Sequence, residues 1–469
     1  MAQREHERNN ENRNLVRQLG LFDSTMVMMG IVIGSGIFLT TGIMAESLPS
    51  TGLLLLAWIV GGLLTLAGAL TYSELGAALP KAGGQYVYLK EAYGPLVAFL
   101  FGWIVFLVYM TGGIAALAVA FSEYLGIFLP SLSTGKILFR INLGFIHYSL
   151  SAGQLVGVAV ILFLSSLNYI GLIFGKIIQN FFTTIKICTI ILFIALGLII
   201  GKGTPFPLSF RPSGSPIEFG ALVTGFGVAL VAVSWAFDGW NNVNFVAGEI
   251  RNPKKNLPRA LILGTLGITL LYVLMNVVYL YALPFHEVQG TVRIAERSAT
   301  ALFGQSATIL VTVAVLISVF GALNGSILAG PRVYFAMAKD DSFFRKASRV
   351  HPRFKTPSYA ILIQAIWSSV LALSGTFEQI ITFVIFVSIL FWIAGTASVF
   401  TLRKKFPDLP RPYKTWGYPV MPAVFIAASA GILINTLLEK PVESLAGLGI
   451  TFIGIPVYFY WKRKSNQTK

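Results

Sequence analysis

Two stretches of this sequence place helix-breaking residues and polar groups inside runs that are apolar enough to lie in a membrane. The first, residues 30–38, reads GIVIGSGIF and contains three glycines and a serine. The second, residues 233–242, reads VSWAFDGWNN, and Asp238 and Gly239 interrupt its apolar run. Irregular backbone at membrane depth is tolerated only where it is buried in protein or lines a cavity. One interpretation is therefore two broken helices around a polar cavity.

A simpler interpretation of the first stretch is close helix packing, because small residues such as Gly34 and Gly36 are common where membrane helices touch. The second stretch favours broken helices, since paired interruptions in two inverted halves indicate a transporter site at the bilayer midplane. The half-helix after the first break would present N–H groups, which suit a carboxylate. The half-helix that ends at the second break would present carbonyl oxygens, which suit an ammonium group. Together the two breaks match the backbone of a free amino acid.

The composition indicates an all-α integral membrane protein. Of the 469 residues, 55% are hydrophobic and only 12% are charged, whereas roughly a quarter are charged in soluble domains. Apolar runs of about 20 residues can cross about 30 Å of hydrocarbon as helices. We predict twelve such helices, near 25–46, 52–79, 95–127, 152–172, 177–201, 219–249, 257–283, 305–338, 357–374, 378–402, 418–438 and 443–461.

The predicted helices divide into two five-helix units and a final pair. An odd number of helices in each unit gives the two units opposite orientations. The basic loops then share one side with both termini, which the positive-inside rule makes the cytoplasmic side of the plasma membrane. The predicted divisions are a cytoplasmic tail (1–24), a first unit (25–201), a second unit (219–402), a loop with the last two helices (403–461) and a cytoplasmic tail (462–469).

Several other classes of protein are disfavoured. The net charge of +16 is explained by basic loops beside anionic lipid, so we expect no nucleic-acid partner. The single cysteine, Cys188, lies within the fifth predicted helix, so no disulfide-linked partner subunit is expected. The four histidines fall in tails or loops without metal-ligand spacing. No Walker motif and no nucleophile motif is visible. We therefore expect that the protein is not an enzyme and that it binds no cofactor or metal.

Two charged residues fall within predicted helices. Lys186 is the one basic residue that we place inside the membrane, where a charge needs the bundle interior, a water cavity or a partner. The alternative interpretation is that its long side chain snorkels, so that the charged end reaches the membrane interface. Asp238 is either a cap on the half-helix that follows it or a contact for the substrate or the gate.

Six stretches carry a resemblance to a known family. They are GIVIGSGIF (30–38), YSELGAALPKAGGQYVYLKEAYGP (72–95), WAFDGWNNVNFVAGEIRNPKKNLPRA (235–260), FGALNGSILAGPRVYFAMAKDD (320–341), HPRFKTP (351–357) and RKKFPDLPRPYK (403–414). With these stretches in this order, the sequence resembles the amino acid–polyamine–organocation superfamily. It is most similar to the L-type amino acid transporter branch, whose bacterial members work as amino acid exchangers.

The resemblance implies a fold and a substrate site. The fold is that of the sodium-coupled leucine transporter, with two inverted five-helix repeats, two further helices, and breaks in helices one and six. In family members the backbone of the GSG motif, here Gly34, Ser35 and Gly36, holds the substrate carboxylate. The carbonyls at Trp235, Ala236 and Phe237 hold the amino group, and Trp235 closes over the substrate as a gate.

The resemblance also assigns roles to single residues. A lysine at the place of Lys186 occupies the sodium position of sodium-coupled relatives, which implies sodium-independent transport. L-type relatives carry different residues at the position of Asp238. We expect Asp238 to widen the range of accepted substrates toward basic amino acids. The other residues expected at the substrate are Ile31, Asn241, Asn324 and Trp392.

The sequence thus predicts a sodium-independent exchanger of free neutral L-amino acids that works by alternating access. The alternative is a proton-coupled symporter for amino acids or polyamines, with Lys186 or Asp238 as the proton carrier. A third class, a transporter-like sensor or scaffold, is disfavoured because no signalling domain is attached.

Overall fold

Helices make up most of the chain in the computed structural model, which describes residues 15–143, 146–203, 205–206, 208–210, 218–374 and 377–467. Residues 1–14 and 468–469 of the predicted tails lie outside the described residues. The helices are α1 (Leu21–Val32), α2 (Gly36–Ser47), α3 (Thr51–Ala78), α4 (Gln85–Tyr93), α5 (Pro95–Phe128), α6 (Ala152–Ile170), α7 (Leu172–Ile199), α8 (Phe219–Ala236), α9 (Pro253–Ala282), α10 (Phe285–Val288), α11 (Ile294–Phe303), α12 (Ser306–Ala329), α13 (Pro331–Lys339), α14 (Ser358–Ser374), α15 (Phe377–Lys405), α16 (Val420–Glu439) and α17 (Pro441–Gln467).

The chain is a multi-pass membrane protein. Within the described ranges, ten helices are long and apolar enough to cross a membrane, taking α12 and α13 as one, and the bent pair α1–α2 makes eleven. Helix α14 is apolar but has only 17 residues. The predicted segments each contain a helix, and most of their ends agree within a few residues. The largest error is the sixth, predicted to reach residue 249, because α8 ends at Ala236 and a 3₁₀ helix follows at Asn242–Glu249.

The protein is not entirely helical. Between α5 and α6 the chain forms an antiparallel hairpin of β1 (Ile137–Leu143) and β2 (Ile146–Ser151). Its register pairs Arg140 with Ser149. The sequence analysis predicted an all-α protein, and the hairpin corrects that prediction, because the segment between the third and fourth predicted helices pairs with itself as strands.

The two broken segments lie at the centre of the helix packing. Helix α1 packs against α7, α9 and α12, and α2 packs against α8. The outer helices instead expose large apolar side chains, as expected for contact with lipid. Examples are Phe181, Leu310 and Val442. The centre of the bundle is therefore where irregular backbone can be sheltered from lipid.

Helix α5 contains a π-helical turn at Val105–Tyr109. Its carbonyls receive bonds from two other helices, because Tyr334 Oη donates to the Val105 carbonyl at 3.3 Å and Trp367 Nε1 to that of Leu107 at 3.0 Å. Such turns are rare and occur mostly at functional sites. This one ends at Tyr109, whose side chain reaches the site described below.

A buried ion pair joins the segment after α8 to α13. Arg332 donates from Nε and Nη2 to the Glu249 carboxylate at 2.6 and 2.9 Å, and also contacts the Leu328 carbonyl. Both side chains are almost completely buried. Arg332 lies toward the end of the continuous span Ser306–Lys339 and is a second buried basic side chain beside Lys186.

We predict that Arg332→Met destabilises the protein, because it leaves the Glu249 carboxylate buried without its partner. Breaking such a pair costs about 3–5 kcal/mol. The measurement is the midpoint of thermal unfolding of the purified protein in detergent. The control is Arg297→Met, which breaks the exposed pair with Glu287 and should cost about 1 kcal/mol or less. Equal midpoints for the two variants would contradict the prediction.

Candidate functional site

The first break separates α1 from α2 at residues 33–35, and the two helices meet at an angle of 42°. The Gly34 N–H turns back to the Val32 carbonyl at 2.8 Å. Helix α2 begins at Gly36, and the first N–H groups of a helix have no partner within it. The predicted interruption is confirmed, and it leaves N–H groups of positive character at the centre of the protein.

The ammonium group of Lys186 lies against the end of α1. Its Nζ donates to the carbonyls of Gly30 at 2.9 Å, Ile33 at 2.7 Å and Ser318 at 2.9 Å. The side chain is buried, so it does not snorkel to the interface. The charge is therefore held by a set of carbonyl oxygens, which is the type of ligand that also binds alkali cations.

Two hydroxyl groups bond further carbonyls of the breaks. Ser318 Oγ lies 2.9 Å from the Ile33 carbonyl and 3.1 Å from the Gly34 carbonyl, and its one proton is available to either. Tyr272 Oη lies 3.1 Å from the Val32 carbonyl and 3.2 Å from the Ala236 carbonyl. Since Val32 ends α1 and Ala236 ends α8, one phenol connects the two broken helices.

The second break follows Ala236, where Gly239 adopts a positive φ of 91°. The Trp235 carbonyl accepts from the Asp238 N–H at 3.0 Å, and the Phe237 carbonyl from the Trp240 N–H at 3.3 Å. A carbonyl oxygen has two lone pairs. These carbonyls therefore keep acceptor capacity while their local bonds are made.

The two breaks are in direct contact. A Cβ atom built on Gly36 would lie 2.8 Å from the Cα of Ala236 and 3.1 Å from its Cβ. Only a glycine at 36 allows the backbones this approach. The N-terminal end of α2 and the C-terminal end of α8, which carry opposite partial charges, thus meet at this point.

A cavity of about 50 Å³ lies at this junction. Six of the residues predicted to bind substrate line it. Met110, Gly113 and Leu117 form an apolar part of its wall. The six predicted residues are Ile31, Gly34, Ser35, Gly36, Trp235 and Asp238.

A larger cavity of about 470 Å³, which we call the vestibule, lies on the side where α2 ends. Ser35, Leu117 and Trp235 line both cavities, so Trp235 lies at the boundary between them. Arg293, which lines the vestibule, is paired with Glu296. Burial raises the pKa of the Glu296 carboxyl, although Arg293 and the bond from Thr312 act in the opposite direction. The charged residues that line the vestibule are Glu123, Arg293, Glu439 and Lys440.

Five predicted site residues do not line the small cavity in this conformation. Ala236 and Phe237 lie in the second break and are buried. Asn241 Nδ2 donates to Gln85 Oε1 at 2.8 Å. Asn324 Nδ2 donates to Gln179 Oε1 at 2.8 Å and to a backbone carbonyl. Trp392 packs on Trp240, with the ring centres 5.9 Å apart. Buried amides need hydrogen-bond partners, and here the partners draw both asparagines away from the cavity.

Besides Ser326, which lines the cavity, the sequence analysis missed four polar residues of this site. Tyr109 and Asn242 line the cavity, while Tyr272 and Ser318 bond the broken backbone. Each is a single polar residue in an apolar helix or beside the second break. Such a residue does not stand out in the sequence. Only the packing of the helices brings these four residues to the breaks and the cavity.

The fold and site define a family of membrane permeases. The sequence model of the family described as Amino acid permease matches residues 19–458. The chain belongs to this family, which confirms the resemblance found in the sequence.

Individual relatives cover almost the whole chain. It is 34% identical over 460 residues to the serine/threonine exchanger SteT of Bacillus subtilis, covering 97% of this chain and 99% of that protein. It is 32% identical to the human large neutral amino acids transporter small subunit 2, over 96% of this chain and 82% of that one. With the human b(0,+)-type amino acid transporter 1 the identity is 28%, over 97% and 91%.

We predict that Gly36→Ala separates the two breaks, because the added methyl overlaps the backbone of Ala236. Overpacking of this kind costs about 1–3 kcal/mol, and we expect the variant to lose stabilisation by added amino acids in thermal unfolding. Gly431→Ala is the control, since a Cβ there meets nothing within 4 Å. The prediction fails if the two alanine variants respond alike to amino acids.

Proposed function

We propose that the protein is a sodium-independent exchanger of free L-amino acids. The observation that carries the proposal is the contact of Gly36 with Ala236, where the start of α2 meets the end of α8 beside the small cavity. An amino acid has a carboxylate and an ammonium group on one carbon, and the junction offers a partner of the right polarity to each. The names of the relatives support the same class of substrate.

Sodium independence rests on Lys186. Its ammonium group takes three carbonyl bonds at the end of α1. A sodium ion bound there would coordinate and order the same oxygens. The ammonium group of Lys186 does this without a bound metal ion. The first break therefore keeps its shape whether or not sodium is present.

Exchange requires that the loaded carrier changes its accessible side more readily than the empty one. Trp235 lies between the cavity and the vestibule, and we assign it the role of a gate. On the opposite side the path is filled by buried side chains, including the bond of Asn241 to Gln85 and the pair of Glu249 with Arg332. Alternating access would open these contacts as Trp235 closes.

We extend the proposal to the topology of the chain. With α14 counted as a crossing, the helices make twelve spans, arranged as two inverted five-helix repeats and a final pair. Both termini then lie in the cytoplasm and the vestibule opens outside the cell, in the plasma membrane. Since Cys188 is the single cysteine, the protein works without a disulfide-linked subunit.

One prediction tests exchange itself. Proteoliposomes filled with unlabelled serine should take up labelled serine without sodium and at equal pH on both sides, whereas empty vesicles should take up little. Uptake into empty vesicles that grows with an inward proton gradient would overturn exchange. That result would favour a proton-coupled symporter, with Asp238 in the cavity wall as the candidate carrier.

A separate prediction tests the role assigned to the ammonium group of Lys186. Lys186→Ala removes the ammonium donor from the buried carbonyls of Gly30, Ile33 and Ser318, and a buried acceptor that loses its partner costs about 1–3 kcal/mol. We expect exchange in sodium-free buffer to fall about tenfold or more, with partial recovery when sodium is added, because carbonyl oxygens can coordinate the ion.

The control is Lys176→Ala, on the same helix. Lys176 is partly exposed and its contact with Asp23 is 3.4 Å long, so this variant should exchange at a rate close to the unmodified protein. Full activity of Lys186→Ala without sodium would contradict the role assigned to the ammonium group.

A further inference from the structure

A third cavity, which we call the basal cavity, lies at the end of the bundle where α1 begins, opposite the vestibule. Its volume is about 390 Å³. Four parts of the chain line it: the stretch before α1, the turn before α4 with α4 itself, the segment after α8, and α13. Gly248 in its wall precedes Glu249, and Ala336 follows Arg332 by one helical turn. The basal cavity therefore adjoins the buried ion pair that helps to fill the path on this side.

The basal cavity carries more positive than negative charge. Four cationic side chains and two carboxylates line it, namely Arg17, Lys81, Lys90, Lys339, Glu91 and Asp340. Asp340 is already engaged, because it accepts bonds from Lys90 Nζ at 2.6 Å and Tyr86 Oη at 3.0 Å. Within the described chain, Arg17 and Lys81 form no ion pair. The excess of two positive charges calls for an anion.

The backbone that carries Arg17 is fixed beside the basal cavity. The N–H groups of Gln18 and Leu19 donate to the Glu249 carbonyl at 2.8 and 2.9 Å, and the Arg251 N–H donates to the Leu19 carbonyl at 2.7 Å. The stretch before α1 is thus bonded to the segment after α8. This pairing sets the position from which the guanidinium group of Arg17 reaches the cavity.

Two further cations come from other directions. Lys81 lies in the turn before α4, which packs closely on the segment after α8, since a Cβ on Gly248 would lie 3.0 Å from the backbone nitrogen of Ala82. Lys339 ends α13, and its Nζ lies 4.8 Å from the centre of the Phe335 ring. Three separate parts of the chain therefore bring positive charge to one cavity.

A phosphoryl group has the chemistry that this arrangement recognises. It offers three acceptor oxygens in a tetrahedral arrangement and carries up to two negative charges. Lysine binds phosphate as a point charge, and arginine binds it through a fork of N–H donors. A single carboxylate has one charge and two oxygens in a plane, so it would leave part of the excess charge without a partner.

We propose that the basal cavity is a regulatory site that binds a phosphoryl group, either of a soluble phosphate compound or of an anionic lipid head group. The bound group bridges the stretch before α1, the turn before α4 and α13. Opening of this side would break the contacts of Gln85 with Asn241 and of Arg332 with Glu249, which moves α4 and α13 away from the segment after α8. The bound anion therefore stabilises the closed arrangement and slows exchange.

Binding is tested without transport, by thermal unfolding of the purified protein in detergent. The two probes are inorganic pyrophosphate and cardiolipin, and potassium acetate at equal ionic strength corrects for screening. We expect at least one probe to raise the unfolding midpoint more than acetate does. The double variant Arg17→Gln with Lys81→Gln should need about tenfold more of that probe for the same rise, because two partly exposed charge pairs are lost.

A matched control removes the same charge elsewhere. Lys254→Gln with Lys255→Gln changes two exposed lysines at the start of α9 that do not line the basal cavity. This variant should respond to both probes as the unmodified protein does. An equal loss of response in the two double variants would overturn the site, since it would show that only the net charge matters.

The probes also separate the two sources of the phosphoryl group. A response to pyrophosphate indicates a soluble ligand, and a response to cardiolipin alone indicates a lipid head group. No response to either probe beyond that to acetate would overturn the proposal, whether or not the protein exchanges amino acids. In proteoliposomes that exchange amino acids, the active probe should lower the exchange rate, and binding without slower exchange would overturn its regulatory role.

Discussion

The centre of this protein is organised by one constraint: the carbonyl groups freed by a broken helix must find donors inside the protein. Lipid offers none, and a buried carbonyl without a partner costs free energy. At the first break four successive or neighbouring carbonyls are bonded by three side chains. The acceptors are Gly30, Val32, Ile33 and Gly34, and the donors are Lys186, Tyr272 and Ser318.

These donors come from three different helices, α7, α9 and α12, which all pack against α1. The break is therefore the point at which the surrounding helices are tied together by hydrogen bonds as well as by packing. Tyr272 extends the connection to the second break through the Ala236 carbonyl. A movement of either broken helix must change bonds on several neighbours, which suits a site whose shape is coupled to the arrangement of the bundle.

Buried charges in the described chain are stabilised in three different ways. Lys186 is held by neutral carbonyls, Arg332 by the opposite charge of Glu249, and Asp238 by a tyrosine hydroxyl and a backbone N–H. A paired charge has its interactions satisfied within the protein. Asp238 differs from the other two because it borders the small cavity.

The sequence by itself determined the membrane class, the approximate helix ends and the two breaks, because hydrophobic length and the glycines at 34, 36 and 239 are local properties. It also identified Lys186, since a charge in the middle of an apolar helix stands out. The tertiary structure alone decided which polar groups meet. Tyr109 reaches the cavity through a π-helical turn that its sequence does not reveal, and Asn242 lines the cavity where Asn241 was expected, because the turn at Gly239 sets which side chain faces inward. Contacts between residues more than a hundred positions apart depend on the packing of whole helices, which no local pattern encodes.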